Sequence, residues 1–210
     1  MRTETIVRKI YTIDELSDDA KQRAYEDSIE SFEYFLHGEN MASLNAFAGI
    51  FNIKIKNYSY GGNNSFIDWS FSGVDDEVVE LKGFRLAKYI WNNYRRDLFK
   101  GKYFSLQSKK EFNPHYGVKY GTYKSRHSKI LLDNSCVLTG FYIDDDLLKP
   151  IYDFLNKPCT HTDMEYLIQD CVNCWLSSVQ SDDEDQMSIE AFYDNAQANE
   201  WEFYSDGRML

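Results

Sequence analysis

Cys159, His161, Cys171 and Cys174 have the number and kind of side chain that a tetrahedral zinc site needs. They run as Cys-x-His, nine residues, then Cys-x-x-Cys. Cys171 and Cys174 fall inside an apolar helical pattern beside Val172 and Trp175, with no glycine-containing knuckle, and cysteines so placed belong to a core. Asp68 or Asp76 with Glu80-x-Lys82 has the acid, acid-x-lysine order of a Mg²⁺ nuclease site, but those ligands converge from a strand and 76–99 has helical periodicity. His37, His115, His127 and His161 lack a serine, cysteine or acid partner at a catalytic spacing. Gly61-Gly62 joins two strand patterns and precedes neither a helix nor Lys-Ser/Thr, so it is no phosphate loop. The expectation is a protein that is not an enzyme and holds no metal or cofactor.

Binding chemistry is more prominent. Residues 82–129 carry thirteen Lys/Arg against two acids, Asp97 and Glu111, whereas both flanks are acidic and the whole chain has a net charge of −11. Lys100, Lys102, Lys109, Lys110, Lys119, Lys124, Arg126 and Lys129 interleave with Tyr103, Phe104, Phe112, Tyr116, Tyr120 and Tyr123. Cations that meet phosphates beside rings that stack on bases suit single-stranded or guide nucleic acid. The same residues also fit a contact with an acidic protein patch, or a solvated face over an aromatic core. Lys109, Lys110, Lys124, Arg126 and His127 are the expected nucleic-acid or partner contacts. Asp182, Asp183, Glu184 and Asp185 are the expected acidic contacts; together with Asp144, Asp145 and Asp146 they could imitate phosphates in a cationic cleft. Asp144 to Asp146 also stand where helix N-termini favour acids.

The elements that position these residues can be read from periodicity. Thr5 to Ile13 is β-branched and aromatic, which predicts a strand. Ser17, followed by Asp18 and Asp19, predicts a helix start, with Ala20, Ala24, Ile29, Phe32 and Leu36 inward and Gly38 as the cap. A short helix is expected from about Met41 to Ile50. Residues 51–60 and 65–73 flank a Gly-Gly-Asn-Asn turn and predict a hairpin. One long helix is expected over 76–99, with Val79, Leu86, Ile90, Tyr94 and Leu98 inward and Arg85, Lys88, Arg95 and Arg96 elsewhere. Strand and loop follow to Gly140: 103–106, 117–123 and 129–132. Asp144 to Asp146 open a further helix stopped by Pro158. Thr162 and Glu165 form a capping box for a helix to about Val179. Residues 181–185 are expected to be an acidic loop, 188–198 a last helix, and 201–210 a closing hairpin around Asp206-Gly207. The fold class is α+β: a mixed or antiparallel sheet with helices packed on it, the N-terminal strand and the C-terminal hairpin in the same sheet. One domain over 1–210 with a basic, strand- and loop-rich middle at about 82–129 accounts for this order.

Composition narrows the setting. With 43% apolar and 16% aromatic residues the chain has material for a core, and three prolines leave no Pro-rich linker. No apolar run approaches a membrane span, the N-terminus lacks a secretory h-region, and four cysteines without a signal read as reduced thiols. A cytoplasmic protein with no membrane partner is expected.

Two stretches resemble a known group. Tyr11-Thr12-Ile13-Asp14-Glu15-Leu16-Ser17 with Ala20-Lys21, and Ala198-Asn199-Glu200-Trp201-Glu202-Phe203 with Asp206-Gly207-Arg208, are similar to a loose group of phage and prophage accessory proteins. In that group an "ELS..AK" start and an "NE(Y/W)EF..DG" end bracket a variable middle. The resemblance covers 25–30 residues, roughly, with a weaker likeness at Gly121 to Leu132. It implies a setting among inhibitors of host defence, anti-CRISPR activity above all, acting in the host cytoplasm. The implied partner is a host nucleic-acid effector such as a CRISPR nuclease complex, with guide RNA or DNA touched directly. It assigns no catalytic residue. The alternative is a stand-alone nucleic-acid-binding or antitoxin-like regulator. Leu16 and Phe203 are also expected to serve as core residues whatever the function.

Overall fold

The computed structural model describes residues 8–60, 65–99, 104–113, 117–126 and 135–210, the strands within 104–126 by their backbone pairing. They are α+β and group into two compact units, Met1–Phe35 with Gln180–Leu210, and Leu36–Val179.

The first unit joins the two ends of the chain. The Thr12 N–H donates to the Glu15 carboxylate at 2.9 Å and closes a 3₁₀ turn over Ile13–Glu15. Helix α1, Asp18–Glu30, starts at Ser17, whose Oγ accepts from the Ala20 N–H at 3.4 Å. It stops well before Gly38. Ser28 and Ser31 turn their hydroxyls back onto the carbonyls of Tyr25, Asp27 and Ser28, a local alternative that weakens a helix end. In the C-terminal stretch, helix α7, Ile189–Ala198, is capped by the Ser188 hydroxyl at 3.2 Å from the Ala191 N–H. Its far end is a Schellman motif: Glu200 sits at φ 51, its N–H donates to the Gln197 carbonyl, and the Trp201 N–H donates to the Ala196 carbonyl. Ile13, Leu16, Ala20, Ala24, Phe192, Ala196 and Phe203 form the core of this unit.

Of the expected N-terminal strand, Thr5 to Val7 lie outside the described residues; in place of the rest of it and a closing hairpin in one sheet, the described residues show single bridges, Tyr11↔Phe203 and Phe203↔Met209. The bonds are short, 2.9 Å and 2.8 Å between Tyr11 and Phe203. The ladder goes no further because the next residue on the bonding side, Ile13, already belongs to the 3₁₀ turn.

The second unit is built on helices. Helix α2 is His37–Phe51, longer at both ends than the periodicity implied. Strands β1, Ile53–Ser59, and β2, Phe66–Phe71, pair antiparallel with a bulge between Ile55 and Asn57, as the sequence led one to expect. The long helix expected over 76–99 is broken into α3, Asp76–Val79, and α4, Gly83–Leu98. Gly83 explains the break. It sits at φ +55, its N–H donates to the Thr162 carbonyl at 3.0 Å, and a Cβ there would stand 3.0 Å from the Thr160 backbone. Lys82 bridges Asp163 beside it, with an ion pair at 3.3 Å. Strands β3, Phe104–Asn113, and β4, Gly117–Arg126, form a second two-stranded antiparallel sheet. The strand expected at 129–132 lies outside the described residues.

Helix α5 is Ile143–Asn156 and α6 is Met164–Gln186. The capping side chain of α6 is Asp163, whose Oδ1 accepts from the Tyr166 N–H at 2.9 Å, instead of the Thr162–Glu165 pair. Leu44, Phe47, Leu86, Ile90, Leu147, Ile151, Ile168 and Trp175 are buried at the centre, and the Trp175 indole donates to the Asn40 carbonyl. No helix among the described residues is long and apolar enough to cross a membrane.

Asp144 to Asp146 are structural acids. Asp144 is fully buried and accepts from the N–H groups of Leu138, Thr139 and Gly140 and from the Thr139 hydroxyl, at 2.7–3.2 Å. Asp145 accepts from the Cys136 N–H, and Asp146 from the Ser178 hydroxyl. These acids hold the turn that leads into α5 and tie it to α6, and Asp144, being buried, is not available to a partner. Asp144→Asn would turn an amide donor toward these donors and should cost about 3 kcal/mol in a denaturant melt.

Candidate nucleic-acid interface

Helix α4 sorts its side chains by period. Leu86, Ile90 and Leu98 face the core, as expected, joined by Ala87, whereas Tyr94 is only half-buried. The other side carries Phe84, 77% exposed, Arg85, Lys88, Trp91, 40% exposed, and Arg96. Phe84, Lys88, Trp91 and Arg95 follow each other at intervals of four, three and four, which makes one stripe along the helix. No acid occurs between Lys82 and Asp97. Among the described residues none of Arg85, Lys88, Arg95 and Arg96 pairs with a carboxylate. Arg95 is half-buried and donates to the carbonyls of Trp91 and Asn92, the placement a cation favours near a helix C-terminus. The sequence reading identified these cations but missed Phe84 and Trp91. Their signal was present: two aromatics seven residues apart, off the Leu86–Ile90 stripe.

Five residues after α4 begins the β3–β4 ribbon, ten residue pairs and about 30 Å long at ~3.3 Å per residue. Its register divides the expected basic contacts. Lys110 opposes Tyr120, Lys124 opposes Leu106 and Arg126 opposes Phe104, pairs of one parity. Lys109 opposes Gly121, in the other parity of the register. His127 lies outside the described residues. A two-stranded sheet leaves the outer backbone edge of each strand unpaired by a third strand of its own sheet.

The acidic candidates are not in a loop. Asp182 to Asp185 form the last turn of α6, which runs seven residues past Val179. Ile168, Val172, Trp175, Val179 and Asp183 follow one helical stripe, so Asp183 is buried instead of offered to a partner. Asp182 accepts from the Tyr34 hydroxyl at 2.5 Å and the Gln186 amide at 2.8 Å. Glu184 and Asp185 are exposed, Glu184 accepting from the Gln180 amide. Carboxylates at a helix C-terminus oppose the helix dipole. Burial, then the neighbouring Asp182 and Glu184, push the Asp183 carboxyl above its ordinary range.

A raised carboxyl holds its proton longer when folded than when unfolded. It therefore costs stability at neutral pH, and the cost is relieved as pH falls through the folded value. Asp183→Asn should stabilise the protein near pH 7, and melts at stepwise lower pH should show the gain shrinking toward pH 4.

The cysteines part company. Cys159 is exposed, and its thiol is lowered by the His161 backbone and the Thr162 side chain. Cys171 is buried in α6, where burial pushes its thiol up, and Cys174, half-buried, is shifted the same way. Among the described residues no three or more His, Cys, Asp or Glu side chains come together as a metal site.

No family model, no curated protein and no solved structure matches this chain.

Proposed function

We propose that the protein is a phage-type, non-catalytic inhibitor of a host nucleic-acid effector, a CRISPR nuclease complex foremost, acting in the host cytoplasm. The observation that carries this reading is the outer face of α4, where Arg85, Lys88 and Arg96 pair with no carboxylate among the described residues and stand beside exposed Phe84 and Trp91. Cations attract phosphates without regard to sequence, and exposed rings stack on any base. The β3–β4 ribbon extends the same charge, with Lys109, Lys110, Lys124 and Arg126 along its length. Exposed Glu184 and Asp185 add the opposite sign, as a partner made of both protein and nucleic acid would favour. The two stretches that resemble phage accessory proteins supply the setting.

The alternative, a stand-alone nucleic-acid-binding or antitoxin-like regulator, rests on the rings, since Phe84 and Trp91 can stack on bare bases. A fluorescence-anisotropy titration of a labelled single-stranded RNA across salt concentrations separates the two. Tight, salt-dependent binding of the free strand supports the regulator. Binding confined to an assembled ribonucleoprotein supports the inhibitor.

A further inference from the structure

The Tyr11↔Phe203 bridge lays the chain after Arg8 beside Tyr204, and the Tyr204 N–H donates to the Arg208 carbonyl at 2.9 Å across the turn at Gly207. A cleft of about 500 Å³ results in the first unit, walled by Arg8, Lys9, Tyr204, Ser205, Asp206 and Arg208. Its charge is opposite to that of its surroundings. The first unit holds six Lys/Arg against eighteen Asp/Glu, yet three of those six cations line this one cleft with a single acid. Gathered cations repel one another, and an anion in the cleft removes that repulsion.

Two of the cations are also held in place. Arg8 Nη1 donates to the Tyr204 hydroxyl at 2.9 Å. The Arg8 and Arg208 guanidinium carbons stand 5.5 and 5.6 Å from the centre of the Tyr204 ring, within cation–π distance. Asp206 accepts from the Arg208 Nε–H at 2.9 Å, which fixes that guanidinium and leaves its Nη groups for a ligand. The Tyr204 hydroxyl, accepting from Arg8, keeps its own O–H to donate.

We infer that this cleft binds a small phosphate monoester as its dianion. Arg8, Lys9 and Arg208 against Asp206 leave two positive charges in excess, which a dianion matches and a singly charged diester does not. A guanidinium meets phosphate oxygens with paired N–H donors, and two guanidiniums are positioned here. The many acids of the unit repel a long polyanion, so the ligand is small instead of a strand. The site uses no residue of α4 or of the β3–β4 ribbon, so it stands or falls apart from the nucleic-acid reading.

AMP, 3′,5′-cyclic AMP and adenosine are the probes, since they share base and sugar and differ in phosphate charge. Each is titrated into the ¹⁵N-labelled full chain at low ionic strength, where an exposed site is least screened, and read at the backbone resonances of Tyr204 to Arg208. AMP should shift these resonances saturably in the millimolar range, cyclic AMP at least about tenfold more weakly, and adenosine not at all. Arg8→Gln with Arg208→Gln should remove the saturable shift, while unmoved resonances elsewhere report an intact fold. A 5′-phosphorylated trinucleotide, read at the same resonances, should bind no more tightly than AMP. No saturable shift with AMP, cyclic AMP or adenosine binding as well as AMP, or AMP binding that survives in the double variant would each overturn the assignment. A trinucleotide that binds more tightly than AMP would overturn the small ligand in favour of a strand end.

Discussion

Gly207→Ala should lower the stability of the protein by about 4 kcal/mol, a fall on the order of 10 °C in Tm for a chain of this length. Two effects add. Gly207 sits at φ +93, a conformation that a side chain makes costly. A Cβ there would stand 2.2 Å from the Ala20 carbonyl oxygen and 3.0 Å from its carbon, and both are backbone atoms of α1. A flexible side chain could swing away from such a contact, whereas a helix backbone has to shift as a whole. The shift would also disturb the Gly207 N–H bond to the Tyr204 carbonyl and the neighbouring Tyr11↔Phe203 bridge. Alanine at Gly38, where an added Cβ meets nothing within 4 Å, is the matched control and should leave the melt nearly unchanged. Equal melting of the two variants would show that Gly207 does not approach α1 as described.

This close approach also gives a physical account of the two terminal stretches. Leu16, Ser17 and Ala20 in the first, and Glu200, Trp201, Phe203 and Gly207 in the second, are one packed unit: a cap, a Schellman turn, a bridge and a close backbone approach. Their pattern is what the fold of the first unit requires, whichever partner the chain binds.

The second large effect concerns binding. Arg85→Glu, Lys88→Glu and Arg96→Glu together should weaken capture of a nucleic-acid-containing partner by about a hundredfold or more. Removing three cations that meet the phosphates of a single strand should also flatten the dependence of log K on log salt by about 2. Stability should fall only slightly, because these side chains are exposed and pair with no carboxylate among the described residues; surface changes usually stay within about 0.5 kcal/mol each, and a carboxylate at Arg96, in the last turn of α4, adds up to about 1 kcal/mol by opposing the helix dipole. Glutamate at Lys109, Lys110, Lys124 and Arg126 should weaken binding likewise. Since the register puts Lys109 in the other parity, Lys110, Lys124 and Arg126 should account for most of that weakening if one face of the ribbon meets the partner. Binding that survives both sets of changes would make the basic segment a solvated surface.

Local chemistry was legible in the sequence where it decided the structure. Ser17 caps its helix, the last helix falls at Ile189–Ala198 close to the expected 188–198, Leu86, Ile90 and Leu98 are buried, and Ile53–Ser59 pairs with Phe66–Phe71 as expected. What escaped it depended on distant partners. Helical spacing continues smoothly from 76 to 99, and only the approach of Thr160 and Thr162 to Gly83 breaks it. Acids and serines after Val179 disfavour a helix locally, yet α6 runs on to Gln186, where Asp182 accepts from the Tyr34 hydroxyl, a partner 148 residues away, and from the Gln186 amide. Of the candidate site, the cations were evident from charge. The exposed rings were not, because exposure belongs to the packing of α4 and composition does not reveal it.

The most direct test of the central claim is a pull-down from bacterial lysate, with and without nuclease, of the unaltered protein and of the Arg85, Lys88, Arg96 triple variant, read by mass spectrometry. A nucleic-acid-guided or DNA-processing effector is expected to stay bound to the unaltered protein after nuclease treatment and to be depleted from the variant. Recovery of the same proteins by both, with no nucleic-acid effector among them, would contradict it.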